Sequence, residues 1–476
     1  MTPNGENALR AAAPSSERVA AARQRLDEAG VEYIYCNWID LLGVPKTKPV
    51  PASELEALCR GEGPQFAVHS VSMVPDLGPS DPDQIPMPDL DTLEICPWDA
   101  RYAWLVADLY HGQGGAPYHL CPRLALKRQI ERAAEAGYKF FVGFEPEFTV
   151  LRYLDDGQIW KAFDDEPPPG KGFRAKRQPF GYDTEFAIDA MPFLSEIVDV
   201  LNKLGWGVRD VVAEGSYSQY ELDFGYADSL TTADRFIFLR QYLKEVAKKH
   251  GLFVTFMPKV ATGDWRNGSH INTSVQRVDR PGVNLLEDVA GGWSEESRHM
   301  LGGLIKHGAA IIVFCCPTVN SYKGLIDRVS GLEGGLVTWA PTHITYGTNN
   351  RSAMYRLPQA RYAIENRAAD LCMNVYLALA MTIAASLDGL ENRIEPGPPT
   401  NESLYDADPA VLRAAGVKRV PTTLGHTIEV LEANELAREV VGEVMLDCYL
   451  RYKRDEWNRY CTTVTEWERE EYLRFF

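Results

Sequence analysis

An α+β fold, with one small N-terminal and one large C-terminal domain, is what the pattern of the chain predicts. Alternating, aromatic-rich stretches of strand length recur along it, and amphipathic stretches of helical length stop at glycines. A glycine-rich segment at 111–117 separates the two parts, and no internal repeat is visible. That segment has neither Rossmann nor P-loop spacing, so it reads as a linker. The expected division is a disordered tail over 1–15, an N-terminal domain over 16–114 and a large C-terminal domain over 115–476.

The tail is small and polar, a composition that cannot bury enough to order itself. Residues 16–29 form an amphipathic pattern that ends at Gly30, a helix stop. Residues 31–40 alternate and contain aromatics, which predicts a strand, turned by Gly43 and Pro45. The stretch 75–97, rich in Pro and Asp, predicts irregular loops, and 102–110 predicts another strand. Pro122 opens and Gly137 closes a helix over 123–136, the usual placement of those two residues. A strand over 141–148 follows. The loop 166–179 carries Lys171, Arg174, Lys176 and Arg177, a basic run that reads as solvated rather than phosphate-binding. Helices are expected over 192–204 and 232–249, the second capped by Thr231 or Thr232, and a strand over 253–259. Buried helices are expected over 301–312 and 371–385, and a mostly helical, charged region over 408–473.

Bulk composition narrows the function. The 476 residues carry a net charge of −17, which argues against general nucleic-acid binding because phosphate backbones demand a basic surface. Nine cysteines lack any C-x-x-C spacing, with Cys315 and Cys316 adjacent in an apolar run. Reduced thiols in a cytoplasmic protein are the expectation. Arg10, Glu17 and Arg18 interrupt the alanine-rich start, so no signal peptide is expected. The apolar runs 309–316 and 375–387 are too short or too polar to span a bilayer.

The chemistry is concentrated in carboxylates. In FVGFEPEF, Glu145 and Glu147 stand two apart on a strand, so both face the same way. Two such acids repel unless a cation lies between them; a solvent-facing acidic edge is the alternative. Pro146, lacking an N–H, predicts a strand edge or mouth. Glu214 and Glu221 form a second pair, His270 stands alone on a strand-like stretch, and Glu365 lies in YAIENR. Surface acids and a structural histidine are the plain readings of each; convergence alone would make a site. Carboxylates with one imidazole suit two Mg²⁺ or Mn²⁺ ions, and paired ions of that kind clamp phosphates in phosphoryl transfer.

The strings GFEPEF, EGSYSQYELDF, NGSHINTS, NSYKGL, TNNRSAMYRLP and YAIENRAAD occur in that order. Together they resemble the signature segments of the glutamine synthetase family, over nearly the whole chain from Arg18. The segments SLTTADRFIFLRQYL, FVTFMPK and TWAPTHITYG resemble the branch that includes γ-glutamylmethylamide synthetases. The resemblance implies an N-terminal β-grasp domain, and a catalytic domain with a curved antiparallel sheet. It implies stacked hexameric rings with active sites built between subunits. Its chemistry joins glutamate to a small primary amine at the expense of ATP, through a γ-glutamyl phosphate. By motif, Glu147, Glu214 and Glu221 bind one metal, and Glu145, His270 and Glu365 the other. Arg351 and Arg356 reach phosphates, Ser274 contacts ATP, and Arg367 faces the transferred phosphate and the glutamate. Asn267 and Gly268 hold the glutamate α-carboxylate through backbone, and Tyr182 lies beside the ammonium pocket. Asp40 is donated to the neighbouring subunit's site, and Glu333 is taken as the flap glutamate. Asp40, Glu214 and Glu333 would together attract the protonated amine and then deprotonate it.

Three departures from the family pattern stand out. Gly324 replaces the arginine that grips the glutamate carboxylate, with Arg328 as the candidate substitute. Losing one charged hydrogen bond costs about 1.5–3 kcal/mol, so glutamate itself is in question without a substitute. Asn272 replaces a histidine near the phosphates. The segment 67–73 has no counterpart to the family's Asp-Gly-Ser-Ser, which points from ammonia toward a bulkier amine. Ordinary glutamine synthesis is the alternative within the enzyme class, and a catalytically silent relative the alternative outside it. Tyr405, at the position some bacterial relatives adenylylate, reads as structural.

Overall fold

The computed structural model describes residues 12–67, 78, 80–112, 115–163, 181–329 and 336–475. Among the expected features, the basic run 171–177, most of the segment 67–73, and Glu333 lie outside them. Of the expected tail, Ala12 and Ala13 pack against Ile85, Met87 and Tyr110.

The N-terminal part is built from α1 (Ser16–Ala29), β1 (Tyr33–Ile39), β2 (Pro45–Pro51), the short α2 (Leu55–Cys59), β3 (Gln84–Ile95) and β4 (Tyr102–His111). Ser15 caps α1, and Gly30 ends it in the left-handed region at φ 69, as a C-terminal glycine does. The sheet runs β2-β1-β4-β3, with β1 and β4 parallel and the outer pairs antiparallel. Leu26, Ile34, Cys36, Leu58 and Leu105 form the core beneath the helix. This arrangement is consistent with a β-grasp. The loops expected over 75–97 instead contain β3. Its Pro86 and Pro88, like Pro45, Pro49 and Pro51 of β2, lie on outer strands. There a missing N–H costs no ladder bond on the open side, so the prolines mark edges rather than irregular chain.

Helix α3 (Pro122–Glu135) opens the larger part, with Pro122 in its first turn. A buried ion cluster ties the two parts together. Arg123, 1 % exposed, reaches Asp89, Asp108 and Asp234, each at 2.8 Å.

The main sheet is organised around β5 (Tyr138–Tyr153). Its path runs β17 (Lys418–Arg419), β14 (His343–Thr348), β15 (Ala353–Leu357), β16 (Ile364–Asn366), β11 (Ser269–Arg277), β5, β8 (Gln219–Asp223) and β7 (Asp210–Ala213). The short strands β6 (Ile159–Lys161), β9 (Ala227–Asp228) and β10 (Phe253–Thr255) also pair with β5. Only β14 and β15 run parallel; the rest is antiparallel. A separate pair joins β12 (Arg328–Val329) to β13 (Leu336–Val337).

Pro146 therefore lies in the central strand, not at an edge. The Glu147 N–H donates to Gly268 on the β11 side, and the Val150 N–H to Ser218 on the β8 side. Alternation turns the Pro146 nitrogen toward β8, whose pairing with β5 stops at Glu147. The residue that cannot donate sits where that ladder ends.

The helices support the sheet. Helix α4 (Thr184–Lys203) starts eight residues before the expected 192, with Pro192 inside it. The lost bond would have gone to the carbonyl of Ile188, whose side chain is 63 % exposed. Helix α5 (Ser229–Lys249) is capped by Asp228 rather than a threonine. Helices α6 (Glu295–Cys315) and α7 (Val375–Asn392) are buried along most of their length. The C-terminal region folds as α8 (Pro409–Ala414), α9 (Leu424–Glu432), α10 (Glu435–Val441), α11 (Glu443–Thr462) and α12 (Glu466–Tyr472). All nine cysteines are free thiols. Among the described residues, no helix is long and apolar enough to cross a membrane.

Candidate active site

Strand register brings the acids together. On β5, Glu145 stands opposite His270 of β11, and Glu147 opposite Glu221 of β8. On β11, Asn272 shares a face with His270 and stands opposite Glu365 of β16, which in turn faces Arg356 of β15. Residues as far apart in sequence as Glu145 and His270, 125 positions, thus become cross-strand neighbours, a few ångströms apart.

The imidazole of His270 lies at the centre. Its Nδ1 is 2.9 Å from Glu145 and 3.8 Å from Glu365, and its Nε2 is 4.0 Å from Glu147. Two ligand groups result, Glu145–His270–Glu365 and Glu147–Glu221–His270. The first is the set expected from sequence. The second contains two of the three expected members, with His270 added. Glu214 lines the same cavity without joining the tight cluster.

Positive charge is distributed unevenly over these acids. Arg356 Nη1 donates to Glu365 at 2.8 Å, and Arg367 Nη1 donates to the other oxygen of the same carboxylate. Arg361 Nη2 donates to Glu145 at 2.5 Å and to Asn272 at 2.8 Å, while Asn272 donates to Glu145 at 2.9 Å. Burial opposes ionisation of Glu145, yet the hydrogen bond and charge of His270, with Arg361 and Arg367, hold it down to about 2. Glu365 is likewise lowered: burial opposes its ionisation, but the charges of Arg367, His270 and Arg356 together outweigh it. In the other half the arginines are outweighed. Burial, then the charge of Glu214, pushes Glu147 up to about 8. Glu221 is raised by burial and by Glu147 and Glu214, and burial raises Glu214. A cluster of buried carboxylates held protonated by mutual repulsion is relieved by a cation.

The cavity over this cluster holds about 430 Å³ and is walled by Tyr182, Trp265, Gly268, Trp339, Arg351 and Arg367, among others. A second space of about 650 Å³ continues past Glu145 and Arg361 toward Asp210 and Asp223. Tyr182, Arg351 and Arg356 line both. Gly268 allows close approach: a Cβ there would lie 2.9 Å from Glu147 Oε1.

Other expected residues lie elsewhere. Asn267 turns its amide inward, to Thr149 and the Met257 carbonyl, and its N–H donates to Pro258. Ser274 sits two residues beyond Asn272 on β11 and lines neither cavity. Asp40 is 8 % exposed in its own turn, accepting from the Leu42 and Val44 N–H groups and standing 3.3 Å from Lys46. Arg328 pairs with Asp406 at 2.5 Å and lines neither cavity. At Gly324, a Cβ would lie 2.6 Å from that of Arg266, so a neighbouring arginine stem fills the space a side chain would need. Tyr405 donates to the Ala340 carbonyl at 2.8 Å, a structural bond. Sequence reasoning missed Arg361, which sits four residues before Glu365 in the gap between two motif strings. It also missed the two tryptophans.

A family model described as glutamine synthetase, catalytic domain, matches residues 119–472. A glutamate–methylamine ligase of Methyloversatilis universalis is 37 % identical over 96 % of this chain and 99 % of that protein. A glutamine synthetase of Rhizobium meliloti is 34 % identical over 93 % and 97 % of the two chains. The solved structure titled as a GmaS/ADP complex superposes with a TM-score of 0.82 at 33 % identity, covering 95 % of this chain and 99 % of that one. With its cross-strand acid cluster and these similarities together, the chain belongs to the glutamine synthetase family of carbon–nitrogen ligases.

Proposed function

We propose that the protein is an ATP-dependent γ-glutamyl-amine ligase, and that its acceptor is a primary amine larger than ammonia. The observation that carries the reading is the convergence of Glu145, Glu147, Glu221, His270 and Glu365 from four strands, the first four lining one arginine-walled cavity and Glu365 buried against His270. The similarity to a glutamate–methylamine ligase supports the choice of acceptor.

Two divalent cations fit the site. The donors are carboxylate oxygens with one imidazole, a set suited to Mg²⁺ or Mn²⁺, and burial with mutual repulsion raises Glu147 and Glu221. Glu145, His270 and Glu365 would hold one ion, and Glu147, Glu214 and Glu221 the other. Bound there, they would spread the charge of the phosphates during transfer.

The chain's own residues do the rest. Arg351 and Arg356 line the cavity at its junction with the second space, in position to receive ATP phosphates as guanidinium forks do. Arg367 is pinned by the Arg351 and Trp339 carbonyls and by Glu365. Its orientation is thus fixed before substrate arrives, which is what electrostatic stabilisation of a developing charge requires. The γ-carboxylate of glutamate would attack the γ-phosphorus of ATP, giving an acyl phosphate and ADP. The amine nitrogen would then attack the acyl carbon, expelling phosphate. An alkylamine arrives protonated, and we assign Glu214, which lines the cavity, the attraction of that cation and the acceptance of its proton. We assign Asp40 of a neighbouring copy, within stacked hexameric rings, the same electrostatic task, with Glu333 as the closing flap.

ADP release with glutamate and a panel of ammonium, methylamine, longer alkylamines and polyamines tests this. A clear preference for ammonium would reduce the proposal to ordinary glutamine synthesis. Absence of turnover with every amine, joined to absence of divalent-metal binding by calorimetry, would leave a silent relative.

A further inference from the structure

Resting on the ligase reading, we infer that Tyr182, Trp265 and Trp339 wall an acceptor subsite that selects amines with a hydrocarbon body, taken up as their ammonium ions. The three rings come from separate segments of the chain and line one cavity with Glu147, Glu214 and Glu221. Tyr182 is 81 % exposed and Trp339 is 47 % exposed. Ring surface of that size is normally covered, and beside a concave site it is available to a ligand.

The backbone holds two of these rings in place at a cost. Tyr182 and Trp339 both lie in the left-handed region, each at φ 59, where a bulky residue is rare and persists only when its surroundings enforce it. The Tyr182 N–H donates to the Ala213 carbonyl at 2.7 Å. The Trp339 carbonyl accepts from Arg367 at 3.3 Å, and the next carbonyl, of Ala340, accepts from Tyr405. Trp265 is fixed differently. Its ring covers Gly215, where a Cβ would lie 1.8 Å from ring carbon Cε3, and its N–H donates to Ser216 at 2.8 Å. Glycine next to Glu214 is thus what lets an indole lie beside that carboxylate.

The combination has a chemical meaning. Carboxylates attract any ammonium ion, so they cannot separate ammonium from a substituted one. Aromatic faces can, because they gain by covering methylenes or a ring as well as by cation–π attraction. The Arg351 guanidinium stands 5.9 Å from the Trp339 ring centroid, so this indole face already accepts a cation.

The test uses the full-length enzyme with saturating ATP and glutamate, measuring ADP release against ammonium, methylamine, butylamine and benzylamine. Wild type should show kcat/KM rising with hydrocarbon size. Trp339→Ala should lower the benzylamine-to-ammonium ratio of kcat/KM by about ten-fold, chiefly through the amine KM, and Trp339→Phe should restore most of it. Tyr182→Ala, at an exposed position, should shift the ratio in the same direction. A ratio unchanged in both alanine variants overturns the subsite. So does a rise in glutamate KM with the order of amines intact, which would put the rings over the acid instead. Wild-type turnover with ammonium alone overturns the subsite but leaves the ligase; no turnover with any amine overturns both.

Discussion

Glu147 and Glu145 are two residues apart on one strand face, yet their acidities are driven in opposite directions. Glu145 gains a hydrogen bond from His270 and the charges of Arg361 and Arg367, while Glu147 meets burial and the charge of Glu214. A carboxyl raised from about 4.3 to about 8 keeps its proton in the folded chain through a window where the unfolded chain has lost it. Its contribution to stability is therefore full below about pH 4 and declines as pH rises toward about 8. A bound cation removes that decline. The rise in Tm on adding Mg²⁺ or Mn²⁺ should be larger at about pH 8 than at about pH 6, as thermal unfolding in the two buffers would show; an equal rise would refute the assignment. Glu147→Gln should raise the Tm of the metal-free protein, since Gln219 can still donate to the new amide oxygen at the position it now holds. The same change should weaken metal binding about a hundred-fold by calorimetry. Which acids matter was legible from the motif strings that resemble the family; the strand period of two by itself paired only Glu145 with Glu147. The inequality between them was not, since it is created by Arg361, from the connection between β15 and β16, and by burial under the rest of the fold.

Position 324 shows the same limit one residue at a time. From sequence, Gly324 reads as a lost grip on the substrate acid. In the fold it is the space occupied by Arg266, whose guanidinium is bound to the Ala368 and Ala369 carbonyls. Restoring an arginine there should not tighten glutamate binding. Gly324→Arg is expected to destabilise the protein by about 1–3 kcal/mol, as overpacking does, read as a lower denaturation midpoint.

Elements were easiest to read where punctuation and period agreed. Helix α1 begins and ends as expected because Ser15 and Gly30 terminate it by local chemistry. Helix α5 begins earlier than expected because Asp228 captures the Thr231 N–H before either threonine acts as a cap. Asp228→Ala should cost about 1 kcal/mol, measurable as a lower Tm, with the sheet and site otherwise intact. Prolines were harder to interpret. In β3 they mark an outer strand, and in β5 Pro146 marks the end of one ladder inside a central strand. A proline states only that one N–H is missing; which neighbour would have received it depends on strand order, which no local window contains.

At the scale of the whole molecule, the acids of the site belong to the larger part of the chain, while Asp40 sits at the join between the two. Asn374, at the start of α7, donates to the Leu41 carbonyl, and Arg240 to that of Gly43, so the turn carrying Asp40 is anchored to the catalytic part of its own chain. Its carboxylate stands 3.3 Å from Lys46 and lines neither cavity over the acid cluster. If rings of this chain place that turn against the next copy's cavity, each active site takes Asp40 from one chain and Glu365 from another. Asp40→Asn keeps an oxygen for the Leu42 and Val44 N–H groups, so its turn should survive, and Glu365→Ala removes a metal ligand; each variant alone should be nearly inactive. Mixed by co-refolding in equal amounts, they should recover activity at about a quarter of the sites, those pairing an intact Asp40 with an intact Glu365 across an interface. Recovery of ADP release in the mixture, on particles many times heavier than the 53.2 kDa protomer by sedimentation, is the expected result. Failure of the mixture to recover, on particles of that size, would mean that Asp40 acts only within its own chain.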